Sequence, residues 1–153
     1  MVKRKKQLIR MTMYKNILVA YDGSEGAKIA LNDSLVIAKA LKAKLIALWV
    51  GGFRAYYHET VAEIDEENKA IESFSAKLKK ELNGISKHEG VEIEYAHVQG
   101  NPAKLISEYA EKNKIDLIVI GCKGHSGLWG NDLGHVTDKV SENAKCNVLI
   151  ARK

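Results

Sequence analysis

The sequence has little that could staple a fold covalently. Of its 153 residues only Cys122 and Cys146 are cysteine, with no CxxC pair. That argues against a disulfide scaffold and makes a reducing, cytoplasmic setting the expectation. No apolar run approaches the roughly 20 residues needed to cross a bilayer, so no membrane partner is expected. The opening MVKRKKQLIR is basic but is followed by no apolar stretch, and it does not read as a secretory signal. The five histidines (58, 88, 97, 125 and 135) lack HxxxH or HExxH spacing, so no metal site is expected. No Ser-His-Asp order is legible, and no catalytic residue is assigned. Two common phosphate motifs are also missing: GxxxxGK[ST], and a GxGxxG after the first strand.

Positive charge is present but unevenly placed. There are 24 Lys and Arg against 19 Asp and Glu, a net charge of +5. Lys3, Arg4, Lys5, Lys6 and Arg10 supply the whole excess, and residues 1–12 hold no acid. The remainder is neutral, so no broad basic face is implied and nucleic acid is not an expected partner. Residues 1–12 are read as a basic tail and 13–153 as one domain. The tail is either solvated, or an extension created by a start at Met1 rather than Met13, or an arm for nucleic acid, lipid or an acidic protein.

What the chain does contain is a steady alternation. Hydrophobic residues make up 46%, enough for a core at this length. Asn16–Ala20 reads as a buried strand ended by Asp22-Gly23-Ser24. A helix from about Ser24 to Lys42 follows, with Ala27, Ala30, Leu31, Ser34, Leu35, Ala38 and Leu41 on one face and Ser24 or Asp22 as its cap. Lys44–Val50 is the second strand, residues 51–60 look irregular, and a long helix from about Val61 to Lys87 carries Ile64, Ile71, Phe74, Leu78 and Leu82. Gly84 and Gly90 mark its end. Val91–Val98 alternates as an edge-like strand. Asn101 caps the next helix, with Pro102 at its first turn. Asp116–Ile120 is the most apolar strand, and a helix from about His135 to Ala144 precedes a last strand, Asn147–Ala151. This βαβαβαβαβ order predicts an α/β fold: one doubly wound domain, a parallel sheet covered by helices on both faces. Such sheets bind ligands beyond the carboxyl ends of the strands, where the strand order reverses.

The strongest chemical feature is residues 121–137, GCKGHSGLWGNDLGHVT. Its glycines follow a buried strand and lead into a helix. Backbone amides there can turn inward as an anion nest, and the helix start adds more, so phosphate is the natural guest. Cys122 is either a reactive thiol among these donors or an inert small residue. Phe53, Tyr56 and Tyr57 form either a lid or partner surface, or a core-facing cluster.

The segments YKNILVAYDGS (14–24), Gly100-Asn101-Pro102, DLIVIGCKGHSG and NVLIARK resemble the universal stress protein family over about Tyr14 to Lys153. Gly121, Gly124 and Gly134 match that family's spacing of G, two residues, G, nine residues, G. The resemblance implies five parallel strands in the order 3-2-1-4-5. It also implies an ATP site, with Mg2+ accompanying the nucleotide. Asp22 would meet the adenosine and Val50 the adenine; Gly121, Gly124 and Gly134 would line ribose and phosphates, with Val136 and Thr137 beside them. Ala20, Tyr21, Ile120, Lys123 and His135 complete the expected site. His135 departs from the Ser or Thr usual after the last glycine. Its ring either donates to phosphate when protonated or fills the pocket and blocks ATP. Asp132 adds charge of the wrong sign for phosphate, and Lys123 and Lys139 offset it. The family also implies a homodimer through strand 147–151 and a protein partner as yet unknown. Two function classes therefore stand: a nucleotide-binding regulatory protein in stress response, with at most slow ATP hydrolysis, and a nucleotide-free homodimeric interaction module. A related adenylating enzyme is disfavoured, because the first loop reads only DGSEG.

Overall fold

The computed structural model describes residues 14–52, 60–123 and 133–153. The basic tail, the aromatic segment with Phe53, Tyr56 and Tyr57, and Gly124 and Asp132 lie outside the described residues. Nine elements alternate: β1 (Asn16–Ala20), α1 (Glu25–Leu41), β2 (Lys44–Gly51), α2 (Val61–Glu89), β3 (Ile93–Gln99), α3 (Pro102–Lys112), β4 (Leu117–Gly121), α4 (His135–Asn143) and β5 (Asn147–Ala151). The five strands form one parallel sheet in the order β3-β2-β1-β4-β5. The strand order therefore reverses between β1 and β4.

The period-two alternation of each strand splits the core in two. Ile17 and Val19 of β1, and Tyr21 just beyond its end, join Leu45, Ala47 and Trp49 of β2 on the face covered by α1 and α2. Leu18 of β1, with Ile46 and Leu48 of β2, joins Ile118 and Ile120 on the face covered by α3 and α4. Both faces are buried, which is why these strands read as unbroken apolar runs rather than as alternating ones.

Several boundaries differ from the sequence expectation, each for a physical reason. Asp116 is not in β4. Its Oδ2 accepts the backbone N–H of Lys15 and of Asn16, both at 2.8 Å, and so clamps the start of β1 from outside the sheet. Gly84 does not end α2, because it sits on the solvent side with open space around it. The helix runs on to Gly90, which takes φ +66° and returns its N–H to the Ser86 carbonyl. Leu41, assigned to the buried face of α1, is 38% exposed at the helix end. Of the apolar positions on α2 only Leu78 and Leu82 are buried, and Ile64 is 43% exposed.

One contact fixes how the two halves meet. A Cβ on Gly121 would lie 2.5 Å from the backbone of Gly26, and a Cβ on Gly26 would strike the carbonyl of Lys123. The first turn of α1 therefore presses backbone to backbone on the end of β4, and only glycine permits that approach.

Candidate functional site

Beyond the carboxyl ends of β1, β2 and β4 lies a cavity of about 390 Å3. That volume falls in the range of small-molecule sites. Its position follows from topology: α1 and α4 leave on opposite faces at the strand-order reversal and open a crevice between them.

Eleven of the twelve residues expected at the site line this cavity, and Gly124, the twelfth, lies outside the described residues. Ala20, Val50, Ile120 and Val136 supply apolar wall and pack against the α3/α4-side core. Leu48 and Ile106 extend that wall, and Trp49, Ser24, Ala27 and Pro102 also line the cavity. The sequence reading missed these six. Leu48 was within reach of it, since it shares the face of Val50 two residues on.

The polar residues are committed in specific ways. Asp22 accepts the N–H of Ser24 at 2.9 Å on Oδ1, and Ser24 Oγ accepts the N–H of Ala27 at 3.2 Å. Both of the suggested caps are thus used, one for the turn and one for the helix. The Tyr21 side chain packs on the α1/α2 side and is 1% exposed. Its hydroxyl donates to Glu81 Oε1 at 2.8 Å. Burial first, then the Glu81 carboxylate, pushes this phenol well above its ordinary range. Tyr21 thus positions the end of β1 and keeps its proton.

The start of α4 carries the rest. Gly134 is its N-cap, with φ −61° and no side-chain cap. The Gly134 N–H donates to the Cys122 carbonyl at 2.9 Å, and the Cys122 N–H donates to Ala151. Thr137 Oγ1 donates to the Gly121 carbonyl at 2.7 Å and is buried. Its hydroxyl therefore ties the first turn of α4 to the end of β4. The amides of His135, Val136 and Thr137 precede the first intrahelical bond, from Asp138 N–H to Gly134 C=O. His135 is exposed while lining the cavity, which stays open beside it. Lys123 lines the cavity and is half-buried. Lys139 pairs with Glu142 of its own helix at 2.8 Å, while Asp132, whose charge it was expected to offset, lies outside the described residues. No cluster of metal-ligating side chains occurs among the described residues.

Behind the cavity, the Trp49 indole stacks on His97 with ring centroids 4.4 Å apart and meets Phe74 edge-on at 4.9 Å. His97 Nε2 is buried without a hydrogen-bond partner among the described residues, and desolvation lowers its pKa below the usual 6.5. Desolvation favours the neutral form of this imidazole.

An apolar slot beside a helix start with amide donors suits a ligand that is flat and apolar at one end and anionic at the other. The class defined so far is a doubly wound α/β protein with a ligand crevice at its switch point. The universal stress protein family profile matches residues 13–152, and the chain belongs to that family. A universal stress protein of Methanocaldococcus jannaschii is 32% identical over 150 residues, covering 92% of this chain and 84% of the relative. The solved structure of universal stress protein UspA from Lactobacillus plantarum superposes with a TM-score of 0.81 at 29% identity, over 91% of this chain and 98% of that one. A universal stress protein solved in complex with cAMP superposes at 0.67 with 29% identity, over 91% of this chain and 97% of the other.

Proposed function

We propose that this chain is an adenine-nucleotide-binding regulatory protein acting in stress response in the cytoplasm. The observation that carries this reading is the junction of apolar wall and uncapped helix start in one cavity at the strand-order reversal. The wall of Ala20, Leu48, Val50, Ile106 and Ile120 suits a purine face. The α4 amides and the helix dipole suit phosphate. The relative solved with cAMP supports the same ligand class. ATP is the expected occupant, with Mg2+ arriving on its phosphates, since no carboxylate cluster among the described residues would hold the ion alone.

The test is to denature the purified protein and identify released nucleotide by absorbance and mass, then titrate ATP, AMP and cAMP by calorimetry. Near-stoichiometric nucleotide, or saturable one-to-one binding, is expected. Clean apo protein with no heat and no thermal shift for any of the three rejects the reading.

The second reading, a homodimeric interaction module, is favoured by β5. Among the described residues this strand pairs only with β4, which leaves its outer edge without a neighbouring strand there, and Val148, Leu149 and Ile150 are half-buried. An open apolar edge tends to find a partner strand. Pairing of two copies along the Asn147–Ala151 edge is compatible with a nucleotide site at the carboxyl ends of β1, β2 and β4, since no β5 residue lines the cavity. A monomer in light scattering at micromolar concentration would overturn the dimer, whatever the nucleotide result.

A further inference from the structure

Among the described residues, the first ten positions of α2 bury no side chain against the sheet. The helix has 29 residues and spans about 43 Å. The strands of 5 to 8 residues span only about 17 to 26 Å. The helix therefore overshoots the sheet, and residues 61–70 contain no buried side chain. Val61 is 75% exposed and Ile64 43%. The same stretch is acidic: Glu63, Asp65, Glu66, Glu67 and Glu72 stand against Lys69 alone. Asp65, Glu66 and Glu72 are exposed and make no ion pair among the described residues. A second copy of this face is a poor cover, because like charges would meet.

We propose that the chain's own basic segment, Lys3 to Lys6, docks along this acidic, apolar-striped half of α2. Two observations support the assignment. The first is charge: the net positive excess of the protein resides in Lys3, Arg4, Lys5, Lys6 and Arg10, while residues 61–72 carry the densest run of acid. The second is reach. Tyr14 lies at the same end of the sheet as the end of α2, since Lys44 N–H bonds to the Lys15 carbonyl and Leu45 pairs with Ile93, just past Glu89. From Tyr14, Lys6 to Lys3 lie at about 26 to 38 Å of extended chain. From Glu89, Glu72 to Glu63 lie at about 25 to 39 Å of helix. The two runs of opposite charge thus fall at matching heights. Lysine and arginine stems can cover Val61 and Ile64 while their heads reach the carboxylates. Each pair is exposed and individually weak, so the contact is salt-sensitive.

The test is limited trypsinolysis of the full-length protein, following loss of the tail by intact mass. The comparison is with a D65N/E66Q/E72Q triple variant, which keeps Glu63 and the Thr60–Glu63 capping box. Circular dichroism checks that both proteins hold the same helix content. At low salt the tail of the parent should be cleaved at least about fivefold more slowly than that of the variant, since protection tracks the docked population. At high salt the two rates should converge. Equal rates at low salt overturn the proposal. Protection that grows with protein concentration overturns it in favour of the tail of a second copy, and protection that appears only with anionic vesicles overturns it in favour of a lipid surface.

Discussion

Among the described residues, three helices start with a side-chain cap and a fourth does not. Ser24 caps α1, Thr60 caps α2 within a full capping box, and Asn101 caps α3. Each lends an oxygen to an amide that would otherwise lack a partner. Helix α4 begins at Gly134, which has no oxygen to lend. Where a helix start only supports the fold, its amides are satisfied from within. Where it lines the cavity, no side chain caps it among the described residues. The α4 start is held in place by other means: Gly134 N–H on Cys122 and Thr137 Oγ1 on Gly121.

This contrast can be broken in graded ways. The largest effect is expected from Gly26→Ala, since the added Cβ meets backbone atoms of Lys123 that cannot rotate aside. A loss of about 3 kcal/mol in urea unfolding is expected, the upper end for overpacking. A loss under about 0.5 kcal/mol would mean the α1–β4 contact is looser than described. Next comes Gly134→Asp, which gives α4 the cap its siblings have. The backbone at 134 (φ −61°, ψ 149°) accepts any residue. Stability should rise by a few tenths of a kcal/mol. Nucleotide affinity in calorimetry should fall at least about tenfold, or about 1.4 kcal/mol. If affinity holds, the α4 amides are not the anion site.

The control is Asn101→Ala, which removes the cap of α3. It should cost about 1 kcal/mol in thermal or urea unfolding. Nucleotide affinity should be unchanged, because Asn101 does not line the cavity. The smallest effect concerns His97. Its folded pKa is lowered, so its contribution to stability is present above the unfolded value near 6.5 and is lost as pH falls through the lower folded value. His97→Phe should flatten the acid side of the stability profile. The stacked Trp49 provides a fluorescence signal for the parent's titration. An unchanged acid limb in the variant would place the titrating group elsewhere.

Much of the architecture was legible in the chain. β1 and β5 match at both ends, and Asn101 and Pro102 stand where the sequence put them, because capping and apolar runs are local properties. The strand order followed from the family resemblance, and the structure shows the same order. The site was legible as a place, since glycine after a buried strand marks a turn open to a ligand. The commitment of its individual groups was not. Nothing in the pattern announced that the Thr137 hydroxyl would be spent on Gly121, that the Tyr21 hydroxyl would reach Glu81, or that Lys139 would turn to Glu142. The burial of α2 was misjudged because its apolar spacing continues past the height of the sheet.

What the sequence determined alone is the set of elements, the faces they bury and the ends they cap, since periodicity and capping act over a few residues. Only the tertiary structure decided which ends meet. Gly26 and Gly121 are far apart in the chain, and their backbones touch because parallel crossovers on opposite sides of β1 bring α1 against β4. The same reversal places the start of α4 along the wall of the cavity.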